Sequence, residues 1–132
     1  MGFVAENQWQ SAGVVARPVE CAVGFRRRKT APGVEIASRD VRVRFLCREL
    51  DDFLTGRTDN LECWGRGETY FLYLVSEALP PAGEQTLSGV PHGSITLLAA
   101  SPRLLTPVFV LLPNEAADLG RWFGALESAP RV

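Results

Sequence analysis

The chain has 132 residues, the length of one domain, and we interpret residues 1–132 as a single unit. Hydrophobic residues make up 46% of the sequence and charged residues 22%, a composition that excludes an intrinsically disordered chain. The formal net charge is −1, and no apolar run approaches the roughly 20 residues that a membrane span needs.

Charge is divided unevenly along the chain. Residues 1–48 carry nine basic and four acidic side chains, whereas residues 49–132 carry five basic and eleven acidic ones. We expect two oppositely charged regions on the surface, which attract a partner without specifying the fold. The first residues show neither the basic region nor the apolar region of a signal peptide, so we expect a cytoplasmic protein.

The first half of the chain predicts strands and a short helix. Residues 1–10 are interpreted as a loose lead-in, and the alternation of apolar and polar residues over 19–25 predicts a strand. The pair Pro32-Gly33 predicts a turn, and residues 34–46 form a second extended run. Apolar spacings of three and four residues then predict a helix over residues 48–55, which Gly56 ends.

The second half predicts more strands and one long helix. Residues 61–65 and 69–77 indicate two strands, the second apolar enough to be covered on both faces. Residues 94–100 and 104–112 predict two more, and Pro107 indicates that the last lies at a sheet edge or contains a bulge. Residues 114–128 have the apolar stripe of an amphipathic helix with Asn114 as its N-cap.

The order of these elements predicts an α+β protein. We expect an antiparallel β-sheet of about six to seven strands, with the short central helix and the C-terminal amphipathic helix packed on one face. No repeated βαβ unit is present, which excludes a doubly wound parallel sheet.

The sequence contains no catalytic or metal-binding motif. His92 is the only histidine, and it lies in a predicted loop near Ser88 and Ser94 without the pattern that displays a nucleophilic serine. The three cysteines are widely spaced, and no C-x-x-C pair occurs, which favours free thiols over disulfides or a zinc site. We therefore expect no metal and no cofactor, and a hydrolase that uses His92 is the third of three functional hypotheses.

A basic run is the strongest candidate for a binding site. It comprises Arg26, Arg27, Arg28 and Lys29, where a predicted strand enters a turn. Arg42 and Arg44 join this cluster if the flanking strands pair as a hairpin. The cluster suits phosphate groups or an acidic protein, whereas the sequence pI of about 5.8 argues against nucleic acid. Trp64 beside Arg66 is a candidate interface anchor.

Two resemblances accompany these patterns. The segment Leu50-Asp51-Asp52-Phe53-Leu54 between two sets of strands, followed by Trp64, an aromatic strand and a terminal helix, resembles small uncharacterised actinobacterial domains. That resemblance covers about residues 34–128 and implies an α+β fold without an activity. The last strand and helix, with Trp122 at the centre of the helix, are similar to the end of a pleckstrin-homology domain, which implies an anion site at the turn of residues 26–29.

These observations favour a binding protein over an enzyme. The leading hypothesis is a non-enzymatic binding or regulatory domain, of the immunity or accessory type found in bacteria, that recognises another protein. The alternative is a pleckstrin-like module that binds an anion or phosphate through the turn of residues 26–29.

Overall fold

Eight strands and two helices make up the described part of the chain. The structure is a computed structural model, and it describes residues 8–23, 29–65, 68–76, 87–101 and 104–128. The elements in chain order are β1 (Trp9–Ser11), β2 (Val14–Ala22), β3 (Thr30–Ser38), β4 (Val41–Leu46), α1 (Cys47–Leu54), β5 (Asn60–Gly65), β6 (Glu68–Leu74), β7 (Ile95–Ser101), β8 (Leu104–Leu111) and α2 (Pro113–Ser128). The prediction of an α+β protein with antiparallel strands is confirmed.

The strands form two sheets, which corrects the expectation of one sheet of six to seven strands. The first sheet has the order β1-β2-β3-β4 and the second the order β5-β6-β7-β8. Helix α1 follows β4 directly and precedes β5, and these two strands do not pair. The alternation of side chains assigns residues to the faces of a strand but does not say which strands are neighbours, so it could not distinguish one sheet from two.

One hydrophobic cluster joins both sheets and both helices. Its most deeply buried members are Val34, Ile36, Val43 and Phe45 of the first sheet, Leu72, Leu97 and Leu111 of the second, Leu50 of α1, and Leu119 and Phe123 of α2. Burying a side chain of this size contributes about 1.5–3 kcal/mol. The opposite face of the first sheet is left for other molecules, whereas Leu98 on the opposite face of the second sheet is buried in a smaller cluster with Val75 and Leu87.

The two helices lie within one residue of their predicted bounds. Gly56 follows α1 with a φ of 81°, and its N–H donates to the carbonyl oxygen of Phe53, as expected of a helix-ending glycine. Helix α2 begins at Pro113, so Asn114 is not its N-cap. The Glu115 carboxylate instead accepts a hydrogen bond from the backbone N–H of Leu112 at 3.1 Å.

Three local features of the first sheet differ from the sequence prediction. The pair Pro32-Gly33 does not form the predicted turn but lies within β3, where both residues pair with β2. The extended run over residues 34–46 is a hairpin, because Arg39 and Asp40 form a turn and Arg39 has a φ of 53°. Neither glycine nor proline marks that turn, so composition did not reveal it. The lead-in also contains β1, which pairs with β2 and buries Trp9 in the core.

The prediction for Pro107 is confirmed in both of its forms. β8 lies at the edge of the second sheet, and its register with β7 shifts between Leu97 and Leu98. Leu97 pairs with Phe109 and Leu98 with Pro107, so Val108 is the additional residue of a bulge. Proline has no N–H to donate, and a bulged edge strand tolerates that loss.

Candidate functional site

The outer face of the first sheet follows from the strand register. Ala16, Ile36 and Val43 pair across the sheet and lie in the core, so their neighbours along each strand point away from it. We call the set that points away the outer face. It consists of Val15, Arg17, Val19 and Cys21 of β2, Ala31, Gly33, Glu35 and Ala37 of β3, and Arg42, Arg44 and Leu46 of β4.

A buried carboxylate lies at the centre of the outer face between two arginines. Glu35 pairs with Arg17 on one side and with Arg44 on the other. Arg17 Nε and Nη2 donate to Glu35 Oε1 at 3.0 and 2.8 Å, and Arg44 Nε donates to Glu35 Oε2 at 3.1 Å. The Glu35 side chain is 4% exposed, whereas those of Arg17 and Arg44 are 46% and 60% exposed. The arginines therefore cover the carboxylate and remain accessible themselves.

The electrostatic state of Glu35 follows from this packing. Burial alone raises the pKa of the Glu35 carboxyl, but hydrogen bonds from Arg17 and Arg44 and their positive charges outweigh burial. The pKa therefore lies below its ordinary value of 4.5, and Glu35 is ionised at neutral pH. A charged group this deeply buried is rare unless it is paired, which makes the three residues one unit.

The rest of the outer face is apolar or basic. Val15, Val19 and Leu46 are half-buried, and Arg42 is exposed beside Ala37. The three arginines and the single carboxylate leave the face with a net charge of +2. Arginine among apolar side chains is typical of surfaces that bind other proteins.

The described residues of the predicted basic cluster do not all lie together. β2 and β3 do pair as a hairpin, closed by a hydrogen bond from the Val23 N–H to the Lys29 carbonyl oxygen. Arg42, however, pairs with Ala37, eight residues beyond Lys29, or about 26 Å along an extended strand. Lys29 and Arg42 are therefore at opposite ends of the sheet. The predicted Arg26, Arg27 and Arg28 lie outside the described residues.

The predicted tryptophan anchor stays a prediction. Trp64 belongs to β5, where it pairs with Thr69, and its side chain lies outside the described part of the structure. Arg66 lies outside the described residues as well. Trp122 of α2 is half-buried and packs against the hydrophobic core, and its indole Nε1 is buried without a hydrogen-bond partner among the described residues.

Sequence reasoning identified Arg42 and Arg44 but missed Arg17 and Glu35. Glu35 lies between Val34 and Ile36, and the alternation there indicates only that it points away from the core. Its pairing with Arg17 depends on the register of β2 against β3. The sequence did contain one indication of this pair, because Arg17 and Glu35 carry opposite charges on two strands joined by a turn. Opposite charges favour a cross-strand pair but do not fix the register of the strands.

The catalytic and metal-binding alternatives gain no geometric support. His92 is exposed in a turn, whereas Ser94 is completely buried and its backbone carbonyl accepts a hydrogen bond from the Val75 N–H. Cys21 donates to the Phe45 carbonyl oxygen on the outer face, and Cys63 donates to the Tyr70 carbonyl oxygen in the other sheet. In the described ranges, no three His, Cys, Asp or Glu side chains are grouped as metal ligands.

Two buried thiols are expected to react slowly. Burial raises the pKa of the Cys21 thiol, and burial together with the charge of Glu62 raises the pKa of Cys63 from 9.0 to about 12. At pH 8 a rise of three pKa units reduces the thiolate fraction of Cys63 roughly a thousandfold relative to an ordinary thiol, so iodoacetamide should alkylate Cys63 far more slowly in the native protein than in urea. Mass spectrometry at short reaction times measures both rates, and equal labelling of Cys63 in native and urea-unfolded protein would contradict the prediction.

The chain matches no protein-family model, no curated protein and no solved structure. Across the described residues, neither helix is both long and apolar enough to cross a membrane. The outer face of the first sheet, with its three arginines and one buried carboxylate, is the candidate binding surface.

Proposed function

We propose that the protein is a binding domain that recognises an acidic surface of another protein through the outer face of the first sheet. The observation that carries this proposal is the pair Arg17 and Arg44, held by the buried Glu35 on a face that also presents Arg42. A cationic face attracts an acidic partner and accelerates the encounter between the two proteins.

The composition of the face supports a protein partner. Arginine is enriched in protein interfaces, where its planar group binds carboxylates and its stem packs on apolar surface. Val15, Val19 and Leu46 offer that apolar surface beside the arginines. The outer face also contains Ala31, Gly33 and Ala37 on β3. Their side chains are small and project little from the sheet, so a partner can approach the guanidinium groups closely.

Reversing the charge of the outer face should weaken partner binding. Arg42→Glu combined with Arg44→Glu changes the net charge of the face from +2 to −2, which places like charges against an acidic partner. We expect the affinity to fall about 100-fold. The partner is first captured from extracts of the source cells and identified by mass spectrometry, and its Kd for each variant is then measured by calorimetry with purified proteins.

A matched control changes the same charge elsewhere. Arg57 and Arg121 form exposed ion pairs with Asp52 and Asp118, both away from the outer face. Arg57→Glu combined with Arg121→Glu alters the net charge of the protein equally and should leave the Kd within about threefold of the wild type. An unchanged Kd for the outer-face variant would remove this face as the binding surface.

A further inference from the structure

The bonding pattern of Glu35 fixes the orientation of two guanidinium groups. Each carboxylate oxygen accepts from a different arginine, Oε1 from Arg17 and Oε2 from Arg44. The side chain that does this is almost fully buried in the central region of the sheet, where its rotamer is restricted by its neighbours. The two arginines, from strands on either side of β3, therefore converge on one point of the outer face.

Both arginines keep hydrogen-bond donors that Glu35 does not use. A guanidinium has five N–H donors in a planar fork. Arg17 Nη1 and both terminal nitrogens of Arg44 have no hydrogen-bond partner among the described residues. The side chains are 46% and 60% exposed, so these donors are accessible to a ligand that approaches the face.

We infer that Arg17 and Arg44 form a clamp for one carboxylate side chain of the acidic partner, and that Glu35 is the positioning residue of this clamp. The inference rests on the proposed function, because it names the group that the outer face recognises. A carboxylate matches the planar fork of a guanidinium, and two convergent forks can bind one such group from both sides. Arginines that are already held lose less conformational freedom on binding.

The clamp and simple charge attraction predict opposite effects for one substitution. Glu35→Gln removes a negative charge and raises the net charge of the face from +2 to +3. Attraction by net charge alone then predicts tighter binding of an acidic ligand. The clamp predicts weaker binding, because an amide group offers only one oxygen and cannot hold both arginines.

The test uses a defined acidic probe and the full chain. The probe is the hexapeptide Gly-Glu-Gly-Glu-Gly-Glu with blocked ends, and its uncharged counterpart contains glutamine in place of glutamate. Binding is followed through the NMR signals of the arginine Nε–H groups, which report the Kd and the residues contacted. We expect preference for the glutamate peptide and, for Glu35→Gln, a Kd about tenfold higher.

Glu20→Gln is the control for the change in the total charge of the protein. Glu20 lies on β2 three residues from Arg17 but outside the outer face, is exposed, and forms no ion pair among the described residues. Its replacement should leave the Kd unchanged or lower it slightly. A Glu35→Gln variant that binds the peptide as tightly as Glu20→Gln, or more tightly, would overturn the clamp.

Arginine-to-lysine substitutions test the clamp without removing Glu35. Arg17→Lys and Arg44→Lys keep the charge but lose the fork, and each should raise the Kd about fivefold, whereas Arg42→Lys should not change it. Equal effects at all three positions would contradict a clamp at Arg17 and Arg44 but leave the cationic face intact. Failure of the wild type to prefer the glutamate peptide would instead contradict the proposed function itself.

Discussion

Replacing Gly33 with alanine is expected to lower the free energy of unfolding by about 3 kcal/mol, which corresponds to a decrease of roughly 10 °C in Tm. Gly33 lies on the outer face and pairs with Val19 of β2 and Leu46 of β4. A Cβ atom there would overlap Cys21 Sγ and lie 2.7 Å from the Phe45 carbonyl oxygen. The carbonyl belongs to a paired strand, so the clash is relieved only by distorting the sheet.

Two further variants separate the causes of this effect. Gly33→Ala combined with Cys21→Ala removes the sulfur and should recover part of the lost stability, but the contact with the Phe45 carbonyl remains. Gly120→Ala makes the same substitution on α2, where a Cβ meets nothing within 4 Å, and should raise stability by about 1 kcal/mol. Thermal unfolding followed by circular dichroism measures all three, and an unchanged Tm for Gly33→Ala would refute the close packing.

Removing both arginines from Glu35 is expected to destabilise the protein in a pH-dependent manner. Arg17→Ala combined with Arg44→Ala leaves a carboxylate that is 4% exposed without its ion-pair partners. Breaking a fully buried pair costs about 3–5 kcal/mol. Because these arginines are half-exposed and their interaction is partly screened by water, we expect about 2 kcal/mol at pH 7.

The direction of the pH dependence follows from the pKa of Glu35. In the wild type the pKa of folded Glu35 lies below 4.5, so the ion pairs stabilise the protein above pH 4.5. This stabilisation is lost as the pH falls through the pKa that Glu35 has in the folded protein. Without Arg17 and Arg44, burial dominates and raises the pKa. The difference in unfolding free energy between wild type and variant should therefore be largest near neutral pH and narrow toward pH 3.

Urea unfolding at several pH values tests this dependence. Adding Glu35→Gln to the double variant removes the unpaired charge, and we expect it to recover stability at pH 7 and to abolish the pH-dependent difference. If the difference in unfolding free energy between the wild type and the double variant is the same at pH 3 and pH 7, ionised Glu35 is not the source of the effect.

Most elements of the fold could be predicted from local patterns. The helix-spaced residues Leu50 and Phe53 indicated α1, and Leu119 and Phe123 indicated α2, because a helix brings residues three and four apart onto one side. The turn at Arg39 and Asp40 could not be predicted in this way. Its conformation is imposed by the pairing of β3 with β4 rather than by a glycine or proline.

The candidate site was predicted only in part. Arg42 and Arg44 were identified from their charge on a predicted strand, and Arg42 lies about 26 Å along the sheet from Lys29. The alternation of residues 34–36 indicates only that Glu35 points away from the core. Its burial results from two side chains that are distant in sequence, Arg17 by 18 residues and Arg44 by 9.

The sequence by itself determined the α+β class, the bounds of both helices and the edge position of the strand that contains Pro107, because these depend on periodicity and on the missing N–H of proline. Only the tertiary structure decided that there are two sheets and that Arg17, Glu35 and Arg44 form one unit. The physical reason is register. Local patterns assign a side chain to one face of a strand, but its neighbour across the sheet depends on how separate strands align when the core is packed.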